Sequence, residues 1–250
     1  QLLGAPPAAA SPVIALYASG INPTEPEKLA AQKLTEGYRA FKLKVGFGAE
    51  RDLRNLAAVR EVIGPDLPLM VDANQAWSVQ EAIAAGRRMA NFDLGWLEEP
   101  VRADTSNADW AQVAREQPLA LAGGENLAGT ADLLAFAETE GVAVVQPDIG
   151  KWGGFSGCVP VGRAVQSLGK RFCPHWLGAG IGLTASLHLK AAVGGPGYVE
   201  VDANPNLLRD LFAGDAFRVV DGSVSLHTAP GLGAEPDLAA CREHVTYQSP

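Results

Sequence analysis

The chain has 250 residues, 47 % of them hydrophobic and 19 % charged, which allows a sizeable core and excludes a disordered polypeptide. Its formal net charge is −8 and no cluster of Lys and Arg interrupts it, so a nucleic-acid surface is excluded, while a small acidic ligand needs only a few local cations. Three widely spaced cysteines (Cys158, Cys173, Cys241) without a CxxC exclude a cysteine-rich zinc site, and no apolar run is long enough to span a membrane.

A reduced, cytoplasmic setting is the natural expectation from that cysteine usage. The first residues lack both a signal-peptide pattern and an initiator Met, so the chain reads as part of something longer. Residues 1–12, rich in Ala and Pro, are expected to form a linker. Short apolar runs then alternate with helical patterns. Strands are expected at 13–19, 40–45, 68–72, 94–98, 119–122, 142–146, 171–174 and 198–201. Helices are expected near 25–36, 51–63, 78–91, 106–116, 130–140, 154–168 and 180–193, with Ser78 and Glu81 making a capping box.

Strand–helix–strand repetition implies parallel strands joined by right-handed crossovers. Eight strands with seven intervening helices fit a closed barrel better than an open sheet, and no glycine-rich dinucleotide fingerprint follows the first strand. The expected fold is therefore α/β, a TIM-type (β/α)7β barrel over 13–203. The tail, 204–250, has a different texture. Residues 217–226 read as a hairpin around Asp221-Gly222, and the tail is expected to leave the barrel and pack elsewhere.

The informative residues are the ionisable groups that close the apolar strands. Lys44, Asp72, Glu98, Glu125, Asp148, His175 and Glu200 are separated by 28, 26, 27, 23, 27 and 25 residues, each about one strand–helix unit. In a parallel barrel, strand carboxyl ends share one rim, so seven successive units deliver one such group each to the same mouth. Taken singly, each carboxylate could be a helix cap or a surface charge. In phase, Asp72, Glu98 and Glu125 would crowd three negative charges together, which a hard divalent cation resolves. Oxygen-only ligands favour Mg²⁺.

Lys42 and Lys44 are two apart on one strand and share a face, with Phe41, Leu43 and Val45 on the other. A lysine crowded by a second cation and a metal is expected to have a lowered pKa and to serve as a base; an edge strand with one wet face is the bland alternative. Asp148 and His175 lie on successive strands, where a carboxylate would orient the imidazole and raise its basicity. Glu200, if protonated, could donate to a developing oxyanion. Lys151 is expected to brace the site, and Asn74 to stand near the metal.

The ordered strings Lys42-Leu-Lys44, Val71-Asp-Ala-Asn74, Leu97-Glu-Glu-Pro100, Gly124-Glu-Asn126, Pro147-Asp-Ile-Gly-Lys151 with Gly153-Gly154, Pro174-His175 and Val199-Glu-Val-Asp202 resemble the enolase superfamily, specifically its mandelate racemase subgroup. The resemblance covers about 13–235. It implies that Asp72, Glu98 and Glu125 are magnesium ligands, with Glu99 beside the second. It further implies that Lys44 is one base, that His175 with Asp148 is the base on the opposite face, and that Glu200 is the electrophilic acid. The implied chemistry is removal of the proton α to a carboxylate to give an enediolate held by Mg²⁺, on a small carboxylate substrate, in a homo-oligomer. Two departures stand out. Members of this group carry an N-terminal α+β cap domain that closes the barrel mouth; nothing before residue 13 matches it, and the tail is expected to pack on it. Asn74 stands where several sugar-acid dehydratases have a histidine.

Two outcomes follow from bases on both faces. Dehydration of a hydroxy acid or sugar acid, a lyase reaction, is favoured, with His175 protonating a β-hydroxyl. Racemisation or epimerisation by the same two bases is the alternative. A lysine at position 148 would suggest the cycloisomerase or dipeptide-epimerase branches; Asp148 disfavours both. An inactive barrel serving as a binding module is the non-enzymatic reading.

Overall fold

The computed structural model describes residues 12–226 and 229–242; most of the expected linker and parts of the tail lie outside the described residues. Eight strands run β1 (Val13–Ile21), β2 (Phe41–Lys44), β3 (Leu69–Asp72), β4 (Leu94–Glu98), β5 (Leu121–Gly123), β6 (Val142–Val145), β7 (Arg171–Phe172) and β8 (Val199–Asp202). Between them lie α1 (Pro26–Thr35), α2 (Ala49–Ile63), α3 (Val79–Met89), α4 (Asn107–Glu116), α5 (Thr130–Glu138), α6 (Gly154–Ser167) and α7 (Gly180–Val193). Neighbouring strands pair in parallel in the order β7-β6-β5-β4-β3-β2-β1-β8, the arrangement of a TIM-type barrel.

Two apolar layers follow from the strand period of two. Leu16, Phe41, Leu43, Val71, Leu97, Leu121 and Val145 join the buried cluster that the helices cover. Tyr17, Ala40, Met70, Trp96, Ala122, Val144 and Cys173 form a second, separate cluster inside the ring. A parallel strand buried on both faces has this signature, and it explains why the strands read as near-continuous apolar runs.

The ring has one irregular seam. β7 is only two residues long, and no backbone ladder joins it to β8 among the described residues. The Tyr198 amide donates instead to Cys173 Sγ at 3.3 Å. The buried ammonium of Lys190 stitches the same seam, donating to the carbonyls of Phe172, Gly194, Gly195 and Pro196 at 3.0, 3.1, 3.2 and 2.9 Å. Gly197 is required there: at φ +126° its Cβ would stand 2.7 Å from the Phe172 carbonyl oxygen.

The tail differs from expectation. An eighth helix, α8 (Leu207–Ala213), follows β8, capped by the Asn206 side chain, which accepts from the Arg209 amide at 2.9 Å. The turn at Asp221-Gly222 forms, with φ of 44° and 72°. The strand that leaves it, β9 (Ser223–Ser225), pairs antiparallel with Val13–Ala15 of β1. The described tail thus lies against the barrel's own first strand. Local pattern encodes a turn, but not which edge the following strand finds.

The expected capping box at α3 is present: Ser78 Oγ accepts from the Glu81 amide, and the Ser78 amide donates to Glu81 Oε2 at 2.9 Å. Ser78→Ala is expected to lower stability by about 1 kcal/mol in urea denaturation, leaving the fold unchanged.

Candidate active site

Two residues beyond the apolar interior position of every strand but β5 stands a polar one: Ser19 after Tyr17, Lys42 after Ala40, Asp72 after Met70, Glu98 after Trp96, Gln146 after Val144, His175 after Cys173 and Glu200 after Tyr198. The barrel interior therefore changes from apolar to ionic along the strand direction. Pairing sets the groups side by side. Lys44 faces Asp72 in register, Asp72 faces Glu98, Tyr17 faces Glu200, and an isolated bridge joins Asp148 to His175. After β5 the phase slips by one residue. Gly124, at φ +120°, turns the chain, and Glu125 becomes the rim group.

Lys42 is at the centre, fully buried. Its ammonium contacts Glu98 Oε1, Glu200 Oε1 at 2.7 Å and Asp72 Oδ2 at 3.6 Å, and lies over the Tyr17 ring. Glu98 Oε2 accepts from Trp96 Nε1 at 2.9 Å and Gln146 Nε2 at 2.6 Å. Glu200 accepts from Ser19 Oγ at 2.5 Å and from the Trp176 amide at 3.2 Å. Above this layer Lys44, with 15 % of its side chain exposed, donates to Asp72 at 2.7 Å and Asn74 at 2.6 Å. Across the ring His175 Nδ1 meets Asp148 Oδ2 at 2.6 Å, and its Nε2 meets Glu125 at 2.9 Å and Glu200 at 3.4 Å. Lys151 contacts Glu125 at 3.4 Å and Asn126 at 3.2 Å, and Asn126 Nδ2 donates to both oxygens of Glu99. Glu99 takes φ 36° and Asn74 φ 43°, left-handed backbone that side chains rarely adopt and that clusters at functional sites.

Burial alone would neutralise these groups; the outcome depends on partners. For Lys42, burial opposes the charge, but Glu200 and Glu98 outweigh it and hold the ammonium well above its usual range. For His175, burial again opposes the charge; Glu200, Asp148 and Glu125 together raise it to about 10, so the ring carries both protons. Burial pushes Glu98 up to about 8, with Asp72, Glu200 and Glu125 adding to it against the pull of Lys42. Burial pushes Glu99 up to about 7, helped by Glu125. Burial also opposes ionisation of Glu200, Asp72 and Glu125, yet nearby cations keep all three below their ordinary values: Lys42 and His175 for Glu200, the two lysines for Asp72, and chiefly His175 for Glu125.

Asp72, Glu98 and Glu125 close three adjacent strands and offer oxygen donors alone, a set whose chemistry fits a hard divalent cation. Repulsion from Asp72 and Glu125 adds to the burial that raises Glu98. As the side chains stand, they are turned to Lys42, Lys44 and His175, and no group of three His, Cys, Asp or Glu among the described residues is gathered tightly enough to clasp an ion. Sharing an ion requires them to exchange those cations for it.

Every rim residue picked from the sequence thus falls within one connected network. As the side chains stand, Lys42 is held as a cation by anions on several sides, and Glu200 accepts from Lys42, Ser19 and the Trp176 amide. Ser19, Trp96, Gln146 and Asn126 were missed. Ser19 and Gln146 share the inward parity of the charged groups, which was a usable signal; the indole N–H of an otherwise apolar Trp96 left none.

Trp176 locks the loop after His175. Its ring is walled by Gly150, Gly178 and Gly182, and its Nε1 donates to the Ala179 carbonyl at 2.9 Å. A Cβ on Gly182 would fall 1.8 Å from that ring. Gly182→Ala is expected to destabilise the chain by about 1–3 kcal/mol in thermal unfolding, through overpacking.

Comparison with known proteins agrees with this geometry. A solved mandelate racemase/muconate lactonizing enzyme from Bordetella bronchiseptica RB50 superposes with a TM-score of 0.92 at 51 % identity, covering 98 % of this chain and 67 % of that one. A racemase from Streptomyces coelicolor A3(2), solved with bound magnesium, gives 0.85 at 30 % identity over 97 % of this chain and 65 % of that one. A D-galactarolactone cycloisomerase from Agrobacterium fabrum is 38 % identical over 85 % of this chain; the chain spans only 58 % of that relative's length. The family described as enolase C-terminal domain-like matches residues 26–240. With most of its length inside that match, the chain belongs to this family, within the mandelate racemase branch of the enolase superfamily.

Proposed function

We propose that this barrel removes the proton α to the carboxylate of a hydroxy acid or sugar acid and eliminates the β-oxygen, with Mg²⁺ as cofactor. The observation that carries the reading is the placing of an accessible amine, Lys44, and an imidazole held by Asp148, His175, on well-separated strands of one rim that also carries three carboxylates. Relatives named as dehydratases and racemases support it.

Asp72, Glu98 and Glu125 would hold the metal, which when bound supplies positive charge for the substrate carboxylate oxygens, where negative charge develops. Lys44, in its free-base form, takes the α-proton. His175 begins with both nitrogens protonated, so it can give a proton to the departing β-oxygen, and Asp148 holds the ring in line. Lys42 keeps the layer beneath the site fixed.

One variation has support of its own, because a cycloisomerase is among the relatives. If the β-oxygen leaves as water, the reaction is a dehydration. If it is a ring oxygen of the same molecule, the ring opens and the formula is unchanged, an isomerisation. Asp148 in place of a lysine does not exclude this type of isomerisation, which needs only the same base and acid. Racemisation remains the outcome if His175 returns the proton to the α-carbon.

A panel of hydroxy acids, sugar acids and their lactones, incubated with the chain and Mg²⁺ in deuterated water, tests the reading. Keto-acid formation with a β-oxygen lost is expected; deuterium at the α-carbon without elimination means racemisation. Magnesium titration accompanies it, and Asp72→Asn is expected to weaken the ion at least about tenfold. No keto acid, no deuterium uptake and no metal binding would leave an inactive barrel.

A further inference from the structure

A crevice lined by none of the rim groups lies where α1, α8 and residues 217–219 meet. It has a volume of about 310 Å³ and is lined by Lys33, Glu36, Tyr38, Arg209, Asp210 and Arg218.

The charges inside are unequally matched. Lys33 donates to Glu36 at 2.7 Å, and Arg209 Nε to Asp210 at 2.9 Å. Arg209 Nη1 is taken by the carbonyls of Asp202 and Asn204. Three donors are then left over. Arg209 Nη2 has no hydrogen-bond partner among the described residues. Nor does the Arg218 guanidinium, which is exposed. The third is the Tyr38 hydroxyl. Its side chain is only 4 % exposed, lines the crevice and is hydrogen-bonded to nothing among the described residues. Burial pushes that phenol well above its ordinary range, so it keeps its proton and can donate it to an approaching anion. Two guanidinium groups beside it match the planar, multi-donor recognition of oxyanions.

We propose that this crevice is a binding site for a small oxyanion, a phosphate or carboxylate group, held by the Tyr38 hydroxyl and the guanidinium groups of Arg209 and Arg218. The site is independent of the rim chemistry. Because Arg209 also holds the carbonyls just after Glu200, an occupant there touches the end of the strand that carries a rim residue.

The test is calorimetric titration of the chain with inorganic phosphate and, separately, acetate, which distinguishes the two oxyanion types. Saturable binding of at least one near about 1 mM is expected, the affinity of a few charge-assisted hydrogen bonds. Arg218→Ala, which removes no contact of the fold, is expected to weaken it about tenfold, and Tyr38→Phe about threefold to tenfold, with unchanged thermal unfolding. Lys44→Ala should leave the binding unaltered. The proposal is overturned if neither anion binds at about ten times that concentration, or if binding survives Arg218→Ala and Tyr38→Phe intact. It is equally overturned if Lys44→Ala abolishes binding, which would locate the anion at the rim.

Discussion

Replacing Lys42 with methionine is expected to lower the folding free energy by about 3–5 kcal/mol. The side chains have similar length, so packing changes little. What disappears is the ammonium that faces Glu98, Glu200 and Asp72 inside a fully buried layer. Removing one partner of a buried ion cluster leaves the others desolvated and unpaired. Glu98, already pushed up to about 8 by burial, can take a proton, which softens the loss. Glu200 retains His175 as a cation, and Asp72 retains Lys44. Urea denaturation, with the slope checked for two-state behaviour, measures the change. Combining Lys42→Met with Glu98→Gln should recover part of the loss, because one uncompensated charge is removed with the lysine. A loss below about 1 kcal/mol in the single variant would show that the cluster is not the tightly coupled unit described above.

Lys44→Ala and His175→Asn are each expected to reduce turnover of the true substrate by about 10²–10⁴-fold, the usual contribution of a positioned acid or base. Their effects on folding should differ. Lys44 is at the mouth and partly exposed, so its removal should leave thermal unfolding close to that of the parent chain. His175 is buried against Asp148, Glu125 and Glu200, so its loss should also destabilise the chain. Lys44→Ala is therefore the cleaner reading of catalysis, and deuterium exchange separates the two roles. Under the elimination mechanism, Lys44→Ala should lose exchange at the α-carbon. His175→Asn should keep some exchange while losing elimination, because the amine can still take the proton but nothing protonates the departing oxygen. If both variants keep full activity, the assignment of acid and base is wrong.

Much of this protein was legible from periodicity alone. Strand parity separates Phe41, Leu43 and Val45 from Lys42 and Lys44, and the structure puts the first set in the outer core and the second inside the ring. The repeat of about one strand–helix unit between ionisable groups follows from barrel geometry, because every parallel strand must end at the same mouth. Both signals are local: each needs only a few residues of context or a fixed spacing.

Tertiary structure decided how those groups are partnered, and with that their protonation. Ser19 donates to Glu200 across 181 residues of chain, and Gln146 reaches Glu98 across 48; neither contact exists until the ring of strands is assembled. That assembly makes Lys42 a held cation and Glu200 an acceptor. The same holds for β9 on the flank of β1, and for the β7–β8 seam held by Lys190. The sequence determined which residue types face inward and at what level, because side-chain direction is a property of the strand itself. Only the closed ring decided which charges are neighbours, because Coulomb energy and desolvation depend on distances between segments far apart along the chain.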